Sequence, residues 1–88
     1  MSEVDLEKSW AGVSASQRQE IEIMLAEIAA RFPSVPNQSR NDCLDRCADM
    51  HEAMQAACDA LTDDMAMQAC AINAEHAMDG CYKSCGNA

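Results

Sequence analysis

The sequence predicts an all-α protein, in which an antiparallel helical hairpin is stapled by three disulfides and an additional N-terminal amphipathic helix packs beside it. Two observations predict this class. Six cysteines have a spacing that reads the same from either end, and the cysteine-free segment before Pro33 has apolar residues at helical spacing. The 88 residues make one small domain. Such a chain has a limited core, for which cross-links commonly compensate.

The six cysteines are spaced 4, 11, 12, 11 and 4 residues apart. A helix turns about 100° per residue, so steps of 4 and 11 return a side chain to nearly the same face. Folding the chain back at Asp64 brings each cysteine opposite its mirror, and equal steps rise equally along two antiparallel helices. Six cysteines allow fifteen connectivities. The register selects three pairs: Cys43 with Cys85, Cys47 with Cys81, and Cys58 with Cys70.

The cysteine-free segment divides into a flexible arm, residues 1–15, and an amphipathic helix, residues 16–32. Apolar residues of the arm have no sustained period, so at most a short helical turn is expected there. The helix begins at Ser16, which can form a capping box with Gln19, and ends before Pro33, because proline restricts the residue that precedes it. The apolar positions of the helix follow helical spacing: Ile21, Met24, Leu25, Ile28 and Phe32.

A linker over residues 33–39 leads to the cysteine-stapled hairpin, residues 40–86. The first helix of the hairpin is predicted over residues 40–61, with Ser39 or Asn41 as its N-cap. A short connection follows, and its polar residues can also cap the next helix.

The second helix of the hairpin is predicted over residues 63–84. Gly80 is less favourable than alanine in a helix by up to about 1 kcal/mol, so an irregular last turn is expected. Gly86 is expected to end the helix.

Long side chains of the first hairpin helix oppose short ones of the second along the predicted seam, which favours close helix packing. The first helix contributes Cys43, Cys47, Met50 or His51, Met54, Cys58 and Leu61. The second contributes Met67, Cys70, Ala74, Ala77, Cys81 and Cys85.

The same side chains offer an alternative chemistry, a copper or zinc site. Facing pairs of cysteines can form a tetrathiolate zinc site, and thiolates with methionine or histidine suit Cu(I). Residues 43–58, CLDRCADMHEAMQAAC, also resemble one unit of copper storage bundles. The ligands of this alternative are Cys43, Cys47, Cys81, Cys85, Cys58, Cys70, His51 and Met54. His76 lies off the cysteine stripe and is predicted as a solvated surface side chain.

The charge and the motifs exclude several function classes. Fifteen acidic against six basic residues give a net charge of −9, which disfavours binding to nucleic acid or to an anionic membrane. No stretch is long and apolar enough to span a membrane. The serines lack the companion histidine and acid that a nucleophile needs, and neither Cys-x-x-x-Cys matches a redox-enzyme motif. The chain is therefore not expected to be an enzyme.

Two Cys-x-x-x-Cys motifs, CLDRC at residues 43–47 and CYKSC at residues 81–85, resemble those of the twin-Cx3C proteins. These include the small Tim chaperones of the mitochondrial intermembrane space and the plant α-hairpinins. The resemblance implies a helical hairpin in which inner cysteines pair with inner and outer with outer. Here thirty-three residues separate the motifs, more than in the small Tims, and the 58–70 pair is additional.

We therefore expect a non-enzymatic, disulfide-stabilised helical protein that acts as a protein-interaction module or as a secreted or exported effector. Disulfides persist in oxidising compartments, here outside the cell or in the mitochondrial intermembrane space, although the first residues lack a conventional signal peptide. One alternative is a cytosolic protein that binds a soft metal, Cu(I) or Zn. Another is a precursor in which residues 1–33 are a leader and the cysteine-rich remainder is an exported peptide.

Overall fold

The computed structural model describes residues 3–33 and 39–85. Within these residues the chain forms four α-helices and no strand. They are α1 (Glu3–Lys8), α2 (Ala15–Ala30), α3 (Arg40–Asp59) and α4 (Asp64–Ser84). Helices α3 and α4 pack as a hairpin joined by three disulfides, and α2 contacts both of them. The predicted fold class is confirmed.

The predicted flexible arm spans residues 1–15, of which the structure describes residues 3–15. It contains α1 and a following turn, and Trp10 of this turn is only 7% exposed. Gly12 adopts a left-handed conformation with φ of 84°, which allows the chain to reverse toward α2. The apolar residues show no helical period because Trp10 reaches the core from a turn and not from a helix face.

Helix α2 begins at Ala15, one residue before the predicted start, and ends at Ala30, two residues before the predicted end. Its N-cap is Ser14, whose Oγ accepts a hydrogen bond from the Gln17 backbone N–H at 3.2 Å, whereas the predicted cap Ser16 lies in the first turn. At the other end Phe32 N–H bonds to Ala29 O at 3.1 Å, so the last turn is tighter than α-helical before the proline.

Polar side chains cap both helices of the hairpin. Ser39 Oγ accepts from the Asp42 backbone N–H at 3.1 Å, and Asp63 Oδ2 accepts from the Ala66 N–H at 2.9 Å. Of the two N-caps predicted for α3, Ser39 is therefore the one used. The helix α4 continues to Ser84 through Gly80, without the predicted irregularity. Residues 34–38 of the predicted linker, and Gly86, lie outside the described residues.

The core is packed by methionine and isoleucine against alanine. From α3, Met50 and Met54 are 5% and 1% exposed. His51 is half-buried, so methionine and not histidine fills the seam at this level. The alanines of α4 that are fully buried are Ala66, Ala69 and Ala74. Helix α2 adds Ile21, Leu25 and Ile28 to the same cluster. Small side chains on α4 allow the close approach that the disulfides require.

Candidate functional site

The three disulfides form a ladder along the hairpin. Their Cα–Cα distances are 5.8 Å for Cys43–Cys85, 5.7 Å for Cys47–Cys81 and 5.5 Å for Cys58–Cys70. All three values lie in the usual range for a disulfide, roughly 4.4 to 6.8 Å. These are the same pairs that the mirrored spacing selects. No cysteine of the described residues is free.

The bridges differ in their access to solvent. Cys58 and Cys70, near the turn of the hairpin, are 1% and 0% exposed and belong to the hydrophobic core. At the open end of the hairpin, Cys47 is fully buried, whereas its partner Cys81 and the neighbouring Cys85 are half-buried. Cys81 and Cys85 of α4 are therefore the most exposed of the six cysteines.

Three sulfurs of the two open-end bridges form a compact cluster. The Sγ atoms of Cys43, Cys47 and Cys85 all lie within 4.8 Å of one another. The Sγ atoms of Cys47 and Cys85, which are not bonded to each other, are 3.6 Å apart. This proximity follows from the spacing of four residues on each helix, which places neighbouring bridges one helical turn apart.

A guanidinium group lies beside this sulfur cluster. Arg46 Nη2 is 3.5 Å from Cys43 Sγ, and Arg46 Nη1 donates a hydrogen bond to Phe32 O at 2.6 Å. The arginine thus connects the end of α2 to the open end of the hairpin and places positive charge next to one sulfur. Residue spacing places Arg46 three residues after Cys43, but the contact with Phe32 depends on how α2 packs.

Four of the eight predicted metal ligands, all of them cysteines, lie at the open end of the hairpin. The group of sulfurs just described lies at the open end, and Cys81 joins it through its bond to Cys47. His51, Cys58 and Cys70 belong to no such group within residues 3–33 and 39–85. Met54 is 1% exposed and packs in the core. The eight predicted ligands are therefore not gathered into one site, and the six cysteines among them are all disulfide-bonded.

The outer face of α2 carries an exposed apolar side chain. Ile23 is 51% exposed, and its neighbours one turn away on the helix are exposed as well. They are Gln19, Glu20, Ala26 and Glu27. This exposed position was not predicted, because the prediction for α2 considered only the apolar residues at helical spacing that form its buried stripe. The available signal was that Ile23 is two residues after Ile21, about 200° around the helix and hence on the opposite side.

Arginine and glutamate side chains connect α1 to α2 beside this face. Arg18 donates hydrogen bonds to both carboxylate oxygens of Glu7, at 2.9 and 3.1 Å, and from Nε to Glu22 at 2.8 Å. The hydrogen bonds from Arg18, and then its charge, lower the pKa of Glu7, and the same partners raise the pKa of Arg18. By contrast, Glu20 and Glu27 form no ion pair within the described residues.

Other candidate residues from the sequence have structural positions. Ser14 and Ser39 are N-caps. His76 is half-buried, where a solvated side chain was predicted, and lies beside Glu75, Asp79 and Tyr82 in a shallow depression on α4. None of the four described helices has the length and apolar content needed to cross a membrane.

The fold and the bridges define the structural class, a disulfide-stapled helical hairpin against which α2 packs. No family model, curated protein or solved structure matches the chain.

Proposed function

We propose that this protein is a non-enzymatic, disulfide-stabilised module that binds another protein through the outer face of α2. The observation that carries the proposal is Ile23, which is 51% exposed on a helix whose opposite side is fully used in the core. A single exposed isoleucine is ordinary on a protein surface. Here it is flanked one turn away on either side by Glu20 and Glu27, two exposed carboxylates without an ion-pair partner in the described residues.

The chemistry of this face specifies the partner. An apolar side chain between carboxylates is complementary to a segment that presents an apolar side chain between lysines or arginines. The net charge of −9 adds long-range attraction for such a partner. The partner is therefore a basic segment of another protein, and the module is its acidic receptor.

The remainder of the fold supports a rigid binding surface. Ile21 and Ile28 are 2% and 5% exposed and fix α2 against the hairpin. Three bridges join the two hairpin helices. A surface that is held in place before binding loses less conformational entropy when the partner docks.

The disulfides favour an oxidising compartment for the working protein, outside the cell or in the mitochondrial intermembrane space. The resemblance of the CLDRC and CYKSC motifs to twin-Cx3C proteins supports the stapled hairpin. The packing of Trp10 and Ile21 against the hairpin core favours one working unit over a leader that is removed at Pro33, because cleavage there would expose the apolar surface that they cover.

Binding to arrayed peptides tests the proposal. The probes are helical peptides with one leucine flanked at one-turn spacing by lysines, and the controls are the same peptides with glutamate in place of lysine. We expect the oxidised protein to bind the basic set, and Ile23→Asp to weaken that binding at least tenfold. Met65→Asp is the matched control, because Met65 is also exposed (45%) but lies on α4. Equal binding by wild type and Ile23→Asp would contradict the proposal.

A second candidate function is soft-metal binding by the reduced protein. The supporting observation is the proximity of the Cys43, Cys47 and Cys85 sulfurs within 4.8 Å, since thiolates at such distances suit zinc or Cu(I). Native mass spectrometry of protein purified anaerobically with reductant tests this candidate. It predicts one bound metal that is lost in Cys47→Ser. Full helicity of the reduced protein without any metal would count against it.

A further inference from the structure

We propose that the two open-end bridges, Cys43–Cys85 and Cys47–Cys81, form a thiol–disulfide exchange centre. They are chemically coupled because the Sγ atoms of Cys47 and Cys85, which belong to different bridges, are 3.6 Å apart. A disulfide exchanges when a thiolate attacks one of its sulfurs and displaces the other. A thiolate at Cys85 therefore has a second disulfide within reach. This inference does not depend on the binding face of α2.

The first step of the exchange needs a dithiol from solution. Its thiolate attacks the Sγ atom of Cys85, a half-buried residue, and displaces Cys43 as a thiolate. The second thiol of the reagent then attacks the mixed disulfide, releases Cys85 and closes the reagent's own disulfide. Two electrons pass from the dithiol to the protein, and Cys43 and Cys85 become thiols. Arg46 favours displacement of Cys43, because its Nη2 atom is 3.5 Å from that sulfur and stabilises the thiolate.

The second step is internal and needs no further reagent. The Cys85 thiolate attacks Cys47 Sγ, a Cys47–Cys85 disulfide forms, the Cys47–Cys81 bond breaks, and Cys81 leaves as a thiolate. One disulfide is consumed and one is formed, so the redox state of the protein is unchanged. The two-electron reduced protein therefore interconverts between two isomers, which carry the second thiol at Cys85 or at Cys81.

Cys47 is the sulfur that is attacked in this exchange, and it is disulfide-bonded in both isomers. It is 0% exposed and remains bridged to α4 in both isomers, so the open end of the hairpin stays closed. The core bridge Cys58–Cys70 takes no part, because its two cysteines are 1% and 0% exposed and have no third cysteine in a group with them. Reduction by two electrons thus presents one thiol on α4, at either of the half-buried positions 81 and 85, together with the Cys43 thiol on α3, while two bridges still join α3 to α4.

The variant Cys43→Ser isolates the internal step. This variant has one free thiol at the open end, on either Cys85 or Cys81. One of these two isomers is purified in acid, where exchange is slow. The isomer is then incubated at about pH 8.5, where an ordinary cysteine thiol is half ionised. After acid quenching, the thiol is alkylated and located by peptic digestion and mass spectrometry. We expect the label to move from one position to a mixture of Cys85 and Cys81. Label that stays entirely at its starting position overturns the proposal.

The matched control is Cys58→Ser, which leaves Cys70 as the free thiol in a site without a neighbouring sulfur group. Its label is expected to stay on Cys70 after the same incubation.

Limited reduction of the wild-type protein by dithiothreitol is a second test, which remains available if Cys43→Ser does not fold. There the first two labels are expected on Cys43 and on a mixture of Cys81 and Cys85. Early labels on Cys58 and Cys70, or on Cys43 and Cys85 alone, overturn the proposal.

Discussion

The guanidinium of Arg18 lies over the indole ring of Trp10, with 5.1 Å between the Cζ atom and the ring centroid. This cation–π contact closes the turn after α1 against the first turns of α2. The same guanidinium bonds to Glu7 and Glu22. The apolar side of Trp10 faces the core, where the residue is 7% exposed. The N-terminal segment is therefore attached to α2 through Arg18 and to the hairpin core through Trp10, and Asn73 Nδ2 of α4 donates a hydrogen bond to Ser9 Oγ at 3.1 Å.

Trp10→Ala is expected to destabilise the protein by about 3 kcal/mol, because it removes the largest side chain of the core and leaves a cavity. The measurement is urea unfolding followed by circular dichroism, since the variant has no tryptophan to report fluorescence. Ile23→Ala is the control, because Ile23 is exposed and its replacement is expected to change stability by less than about 0.5 kcal/mol. Equal stability of Trp10→Ala and wild type would show that the turn does not contribute to the core.

Glu7→Gln is expected to lower stability at neutral pH and to have no effect in acid. The pKa of Glu7 is lowered in the folded protein by hydrogen bonds from Arg18 and then by its charge. A carboxyl group with a depressed pKa stabilises the fold above its unfolded-state pKa, and this contribution is lost as the pH falls through the folded-state pKa. Urea unfolding of both proteins over a pH series measures the difference. It is also expected to shrink in high salt, because the pair is exposed.

The control for this pH dependence is Glu75→Gln, which removes an exposed carboxylate that forms no ion pair in the described residues. A difference between wild type and Glu7→Gln that is the same at every pH would contradict a contribution from the Arg18 contact.

Gly12→Ala and Gly80→Ala are expected to have opposite effects. At Gly12, φ of 84° strains any residue with a Cβ by about 1–2 kcal/mol. An added Cβ there would also lie 3.0 Å from Met65 Cε, the mobile end of an exposed side chain. Gly80 lies in α4 with nothing within 4 Å of an added Cβ, so alanine is expected to stabilise the helix by up to about 1 kcal/mol. Thermal unfolding compares them, and a stabilising Gly12→Ala would contradict the turn geometry.

Removal of the core bridge, Cys58–Cys70, is expected to destabilise the protein more than removal of the outer bridge, Cys43–Cys85. Each disulfide stabilises by typically about 2–4 kcal/mol. Cys58→Ala with Cys70→Ala also deletes two sulfurs from the fully buried core, which is expected to add about 1 kcal/mol. Cys43→Ala with Cys85→Ala changes the partly exposed end. Urea unfolding of the two double variants measures the order, and a larger loss at the outer bridge would contradict it.

The hairpin was predictable because its information is local and periodic. Ser39 and Asp63 are recognisable in the sequence as helix caps, and the long and short side chains of the seam recur at helical spacing. Helices α3 and α4 form where these signals predict them. The end of α2 was less predictable. Its last turn tightens two residues earlier than the helical pattern of Ile28 and Phe32 suggests, because the constraint of Pro33 competes with the apolar spacing.

The candidate binding face and the N-terminal turn were not predictable by the same reasoning. Ile23 is one apolar residue off the buried stripe of α2, and sequence spacing alone does not tell whether another element covers it. Trp10 lies in a segment without periodicity, and its burial depends on a left-handed Gly12 and on Arg18 from the next helix. Such contacts depend on how separate elements pack against each other, and the spacing of residues along the chain does not determine that packing.

By itself the sequence determined the helical class and the register of the six cysteines, because a helix has a constant rise and rotation per residue and mirrored counts must align. Tertiary structure decided the rest. It selected Met50 over His51 for the seam, brought Trp10 into the core, and placed the sulfurs of Cys47 and Cys85 3.6 Å apart. These outcomes depend on helix separation and side-chain rotamers, which many distant residues set together.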